Sequence, residues 1–276
     1  MAQRRFPLVI APEELKDRLE EDNLLIVDLS NPQNYSQRHV PGAVNLPYGY
    51  LLAQRPPAMG LLPDTNHLSQ VMSAIGLRPD VHVIAYDDEG NGRASRLLWT
   101  LEALGHFDFS LLDGGLVAWA AAGLPMDSGA VEPQRSDYQA TIENPDVLAD
   151  KDYILEHLED DNTVVLDARS AAEYSGADVR AARGGHIPGA VNLEWTEAID
   201  RGNNLRLQPV ETLRTMLKQR GITPDKEIVT HCQTHHRSAH TFMVLRYLGY
   251  PNVRGYAGSW SEWGNDPDAP VETGES

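Results

Sequence analysis

The chain's single cysteine, Cys232, lies in the stretch IVTHCQTHHRSAHTF (residues 228–242), just past a short apolar run and among His231, His235, His236, Arg237 and His240. A thiol in that company has the makings of a nucleophile. The pattern puts it between a strand and the start of a helix, where first-turn N–H groups have no partner inside the helix and the macrodipole is positive. A thiolate is stabilised there, and Arg237 and any protonated histidine push the same way. The thiol pKa should therefore fall from about 8.5 toward or below neutrality. A buried structural cysteine is the plainer alternative, but a core filler would not be followed by Gln-Thr-His-His-Arg. His236 and His240 are four apart on one helix face and could form a zinc pair with Cys232 and His231 nearby. No CxxC or HExxH spacing occurs, and three histidines cannot converge on Cys232 without distorting the helix start. No metal and no cofactor are expected.

The elements that must position this thiol occur twice. HVPGAVNL (39–46) returns as HIPGAVNL (186–193), seven of eight residues identical. LLIVDLS (24–30) returns as TVVLDAR (163–169), VIAYDDEGNGRAS (83–95) faces IVTHCQTHHRSA (228–239), and LLDGGLVAW (111–119) faces VRGYAGSWSEW (253–263). The order is shared, so two copies of one unit follow. The expected domains are 1–126 and 146–276, joined by a Pro-, Ser- and Asp-containing linker over 127–145. Within each copy, continuous β-branched runs (LLIVDL, HVIAY, TVVLDA, EIVTH) read as strands buried on both faces. RASRLLWTLEALG sets Ala94, Leu97, Leu98, Leu101 and Leu104 on one helical face, with Gly105 as its cap. The fold class is α/β: two tandem domains, each an open, mainly parallel sheet flanked by helices. Ligands on such sheets bind beyond the carboxyl ends of the strands, where Cys232 falls. Aligning the copies puts Asp87 opposite Cys232, so the first domain keeps the scaffold without a nucleophile. Trp99, Trp119, Trp260 and Trp263 read as core, and Trp195 as a candidate pocket wall.

At 276 residues and 41% hydrophobic, the chain can bury a sizeable core. A net charge of −17 argues against non-specific binding to nucleic acid or anionic membranes. It would also repel small anions unless a local basic pocket overrides it. Arg169, Arg180, Arg183, His186 and Arg254 are the candidates for that funnel. No run approaches a membrane span, the opening residues lack a secretory apolar stretch, and a lone cysteine suits a reducing compartment. A cytoplasmic address is expected.

The repeat, the single second-copy cysteine and the loop Cys232-Gln233-Thr234-His235-His236-Arg237 resemble the tandem-domain rhodaneses, in particular bacterial thiosulfate sulfurtransferases with a CQTHHR loop. The resemblance runs from about Leu8 to Trp263. It implies that Cys232 is the sulfur acceptor and forms a persulfide. The N–H groups of the loop (Gln233, Thr234, His235, His236) would cradle the terminal sulfur while Arg237 closes on the substrate anion. Asp167 would tie the framework together, with Arg169 near the pocket mouth. Many relatives that handle thiosulfate or mercaptopyruvate carry an arginine where Glu173 stands here, which counts against mercaptopyruvate as donor. The implied reaction is thiosulfate:cyanide sulfur transfer by a ping-pong route, with cyanide, a thiol or a protein as acceptor. A persulfide carrier serving a protein or dithiol partner is the alternative. A cysteine phosphatase is a more distant one, since its Cys-x5-Arg loop is one residue longer than the Cys-x4-Arg spacing here.

Overall fold

The computed structural model describes residues 5–274. The outermost residues of the two expected domains, 1–4 and 275–276, lie outside the described residues. The first half of the chain runs β1 (Val9–Ile10), α1 (Pro12–Lys16), β2 (Leu24–Asp28), α2 (Pro32–Gln37), β3 (Val44–Asn45), β4 (Ala53–Arg55), β5 (Ala58–Leu61), α3 (Thr65–Ala74), β6 (His82–Tyr86), α4 (Gly92–Ala103), β7 (Phe109–Leu112) and α5 (Gly115–Ala121). The second half runs β8 (Leu148–Ala149), α6 (Lys151–Glu156), β9 (Thr163–Asp167), α7 (Ala171–Ser175), β10 (Val191–Asn192), β11 (Ile199–Asp200), β12 (Arg206–Leu207) and α8 (Val210–Gln219). It finishes with β13 (Glu227–His231), α9 (Arg237–Tyr247), β14 (Val253–Tyr256) and α10 (Ser259–Trp263).

The two sheets have the same topology. One is ordered β1-β7-β6-β2-β3 and the other β8-β14-β13-β9-β10, every pairing parallel. The continuous apolar runs of the sequence are these strands. All five residues of β6 are buried, as a strand covered on both faces requires. Each sheet closes its own core. Ile26, Ile84, Leu112 and Trp119 pack in the first, and Val165, Val229, Tyr256, Trp260 and Trp263 in the second.

The chain divides into two compact units. One takes the chain up to Leu51, Pro63–Asn144 and Ile199–Leu207, and the other Leu52–Leu62, Pro145–Ala198 and everything from Gln208 onward. The second unit thus includes the antiparallel β4–β5 hairpin, which comes from the first half of the chain. Residues 127–144 carry no helix or strand. They are tied to α3 of the first unit through Ser136 N to Ser73 O (3.0 Å) and Ala140 N to Ser69 Oγ (2.8 Å). Among the described residues, no helix is long and apolar enough to cross a membrane.

Candidate active site

Cys232 directly follows β13, and α9 opens at Arg237 with His236 as its N-cap. Parallel pairing of β13 with β9 brings His231 opposite Asp167, so both strands end at one edge of the sheet. The cysteine is wholly buried, yet its sulfur faces polar groups. Burial pushes the thiol up. The charge of Arg237, the hydroxyl and N–H of Ser238 and the N–H of Thr234 together outweigh it and leave the pKa below that of an ordinary thiol.

The expected ring of loop amides is only partly aimed at the sulfur. The N–H groups of Cys232 and His235 turn back to Ser259 Oγ, at 3.3 and 3.1 Å, while that hydroxyl donates to Tyr256 O at 2.8 Å. Ser259 adopts φ +52° to do this, a left-handed conformation that costs a non-glycine residue roughly 1–2 kcal/mol. The next amides of α10 complete the dock. Trp260 N donates to Cys232 O at 2.9 Å, and Ser261 N donates to Gln233 O at 3.0 Å. The β4–β5 hairpin braces the other side. Met59 N donates to Ser261 Oγ at 3.1 Å, and Gly60 lies so near Thr234 that any added Cβ would collide with the Thr234 carbonyl. His235 is also left-handed (φ +53°) and buried, with Nδ1 at 2.8 Å from Ser238 Oγ. The backbone therefore turns the His235 side chain into the protein, not toward the mouth of the site.

Arg237 is held by Glu173. Nη1 and Nη2 donate to Oε2 and Oε1 at 2.6 and 2.8 Å, a bidentate pair whose carboxylate is 2% exposed. Glu173 is also the third helical residue of α7, in a capping box with Ser170. Burial would raise its pKa, but Arg237, the Ser170 N–H and Arg180 bring it down to about 2. The pair in turn raises the pKa of Arg237 against its burial. Arg180, 56% exposed, lies 3.6 Å from Glu173, and its carbonyl accepts from Gln233 Nε2 at 3.1 Å.

Arg169 is not near a pocket mouth. It is buried, chelates Asp167 through Nε and Nη2 (3.0 and 2.5 Å), donates to Gly185 O at 2.8 Å and lies 4.3 Å over the Trp260 ring. Its guanidinium is consumed in neutralising a buried carboxylate, because leaving either charge unpaired there would be costly. Burial pushes Asp167 up, but the charges of His231 and Arg169 carry its pKa below the usual value. Burial lowers His231 to about 4, so it is neutral near pH 7. The wider funnel also contracts. Arg183 is bonded to the carbonyls of Trp263, Asp266 and Ala269, Arg254 pairs with Glu227 at the start of β13, and His186 stacks on Tyr174. Arg180 and Arg237 are the cations that face Glu173. Trp195 is half-buried against His236 and His240, with ring centroids 6.0 and 5.4 Å away. Burial lowers His240 to about 3. Among the described residues, no group of three His, Cys, Asp or Glu side chains is arranged to hold a metal ion.

The site is thus a buried cysteine lodged in a strand-to-helix loop, braced by Ser259 and the β4–β5 hairpin and flanked by the Arg237–Glu173 pair. Residues 11–122 and 150–266 match the Rhodanese-like domain family. The chain belongs to that family. Its rhodanese-like domains are similar, at 44% identity over 97% of both chains, to a thiosulfate sulfurtransferase of Azotobacter vinelandii. They are similar, at 43% over 97% of both chains, to a thiosulfate sulfurtransferase of Pseudomonas aeruginosa. Among solved structures, YnjE superposes with a TM-score of 0.89 at 23% identity, covering 98% of this chain and 69% of that one. That likeness concerns the fold. Three contributors to this rhodanese-like site went unread in the sequence: Ser259, Gly60 and the salt-bridge role of Glu173. Ser259 had a signal, because the repeat sets it against a glycine, Gly115.

Proposed function

We propose that this chain is a thiosulfate sulfurtransferase that passes sulfur through a persulfide on Cys232, with the second rhodanese-like domain (146–276) catalytic, the first (1–126) inactive and 127–145 a linker. The observation that carries the reading is the buried Cys232 thiol kept below its ordinary pKa by Arg237, Ser238 and Thr234, in a chain whose similar relatives bear that activity in their names.

In the first half-reaction the Cys232 thiolate attacks the outer sulfur of thiosulfate. A bond forms between Sγ and that sulfur, the sulfur–sulfur bond of thiosulfate breaks, and the electron pair departs with sulfite. The loop then holds Cys232–S–S⁻. In the second, cyanide or a thiolate attacks the terminal sulfur, the S–S bond breaks, and its pair returns to Cys232 as thiolate. No general base is required when Cys232 reacts as the thiolate, the form that Arg237 favours. Arg180 at the mouth and Arg237 beside the sulfur meet the donor anion, against the repulsion of a chain of net charge −17. The Thr234 and Ser238 donors stabilise charge at sulfur. Gln233 and His236 are half-buried residues of the same loop and stand within reach of the substrate in this reading. The lone cysteine keeps a cytoplasmic address within the proposal.

Steady-state kinetics test the reading. Varying thiosulfate and cyanide should give parallel double-reciprocal lines, with sulfite release lost in Cys232→Ser. A Cys232→Ser protein that releases sulfite at the normal rate ends it.

A further inference from the structure

The second unit uses an arginine to tie a helix end to the strand beside it. Arg220, directly after α8, donates from Nε to Asn192 O and from Nη2 to Glu197 Oε2, both at 3.1 Å. Its side chain therefore links the end of α8 to the last residue of β10 and to the short 3-10 turn Trp195–Ala198. The repeat sets VNLEWTEA (191–198) against VNLPYGYL (44–51), and QRGITPD (219–225) against AIGLRPD (74–80). In that register Asn45 matches Asn192, Tyr50 matches Glu197 and Ile75 matches Arg220. The first unit has neither the cation nor the acid of this brace. Instead all three matching residues line one cleft of about 390 Å³, with α3 along it, a size suited to a small molecule.

The lining of the cleft selects its occupant. Val71 and Ile75 of α3 give it an apolar surface, and Pro133 joins them from the segment that Ser136 N anchors to Ser73 O at 3.0 Å. Its polar groups are suited to meet a donor. His67 Nε2 lies 2.9 Å from Tyr50 O, a carbonyl that only accepts, so Nε2 carries the hydrogen and the neutral ring keeps Nδ1 as an acceptor. The Gln70 amide oxygen is a second acceptor. The Tyr50 side chain, 53% exposed, presents a ring on which a cation can sit. Among the described residues, no Lys or Arg lines the cleft, and the net charge of −17 draws cations toward the molecule.

We propose that this cleft binds a small cationic molecule, an amidinium or guanidinium on an apolar body, seated as the Arg220 side chain is seated in the second unit. Such a ligand restores the missing brace from outside the chain. Its N–H groups donate to Asn45 O, the counterpart of the carbonyl that accepts from Arg220, and to the Gln70 oxygen. Its charge meets the Tyr50 ring, and its apolar body covers Val71 and Ile75. The site is built wholly from residues of the first unit. It therefore gives that unit a binding role of its own, beyond sulfur transfer at Cys232.

Benzamidine, an amidinium on a phenyl ring, is the probe, titrated into the full-length protein and followed by ligand-observed NMR. It should saturate with a Kd on the order of 1 mM, the scale for a ligand of its size. Benzamide, nearly the same shape without the charge, should bind roughly 5-fold or more weakly. Ile75→Arg installs the arginine of the second unit and should weaken benzamidine binding on the order of 10-fold. Ile75 is buried, so a second variant guards against a damaged fold. Ala74 lines the same cleft at an exposed position, and Ala74→Trp should fill the space with a comparable loss of affinity. Three results would each overturn the proposal: no binding of benzamidine at about 10 mM, binding no tighter than that of benzamide, or undiminished binding by Ala74→Trp.

Discussion

The loop between β6 and α4 and the loop between β13 and α9 descend from matching strands into matching helices, yet they treat negative charge differently. In the first, Asp87 fills its own nest. Oδ1 accepts from the N–H groups of Glu89 and Asn91 at 2.8 and 2.7 Å, and Oδ2 from Arg93 and Ala94 at 2.9 and 3.1 Å. Burial still raises the carboxyl above its usual pKa, because those amide dipoles and the more distant Arg93 do not replace lost hydration. In the second loop the residue at the same place is Cys232, and its ionisation shifts the opposite way, toward the charged form. The chief difference is a cation with nowhere else to go. Arg93 pairs with exposed Glu89 of its own loop, at 2.7 Å, whereas Arg237 is pinned by buried Glu173 where its field reaches the sulfur. A strand-to-helix turn is thus a general anion site. A plugged loop becomes a reactive one by exchanging a side chain that is satisfied for one that is merely stabilised.

The braces differ in the same sense. Gly115 (φ +56°) and Ser259 (φ +52°) hold equivalent places, and in both units the next amide donates to the carbonyl of the loop's first residue: Leu116 N to Asp87 O at 3.0 Å, and Trp260 N to Cys232 O at 2.9 Å. A side chain at Gly115 would strike Asp87 O and Asn91. At 259 there is room for a hydroxyl, and it captures two loop amides.

Substitutions that abolish the contrast should have the largest effects. Arg237→Ala removes the decisive cation. Sulfur transfer should drop on the order of 10–100-fold, and the alkylation midpoint of Cys232, below an ordinary thiol in the wild type, should move up; an unmoved midpoint would detach the arginine from the thiolate. Gly60→Ala forces the hairpin against Thr234 without touching the sulfur. Turnover should fall on the order of 10-fold, with far-UV circular dichroism unchanged. Equal kcat/KM in that variant would show that the loop tolerates displacement. Glu173→Gln frees Arg237 from its counter-charge and should lower the KM for thiosulfate a few-fold, as one less negative charge faces the donor. The same carboxylate has a pH signature. Its folded pKa, about 2, lies below the ordinary 4.5, so its contribution to stability is complete above pH 4.5 and disappears as pH falls through about 2. Glu173→Gln should flatten that part of the acid-unfolding curve, and an unchanged curve would contradict the assigned pair. Smallest in activity is Asp87→Asn. Its amide cannot accept from all four N–H groups, so the melting transition should fall by an amount equivalent to about 1–3 kcal/mol, with sulfur transfer unaltered.

The strands, the two helices behind them and the location of Cys232 were legible because each is encoded locally, in continuous β-branched runs, 3.6-residue spacing and a repeat that aligns with itself. The buried tryptophans at 99, 119, 260 and 263 follow from the same patterns. What escaped was long-range. Glu173 and Arg237 are 64 residues apart, and Gly60 reaches Thr234 from the other half of the chain, so no window contains either pair. Arg169 misled for a different reason. Sequence displays a cation at the right strand end but not that Asp167, two residues earlier, has already claimed it. The inward turn of His235 depends on a positive φ, which composition does not announce at a histidine.

Intact-mass spectrometry after brief exposure to thiosulfate, with Cys232→Ser alongside, tests the central contrast between the two loops most directly. The wild-type protein should gain one sulfur atom, removable by dithiothreitol or cyanide, and the variant none. A wild-type mass that does not change, or a variant that still takes up sulfur, would contradict a reactive second loop built on Cys232.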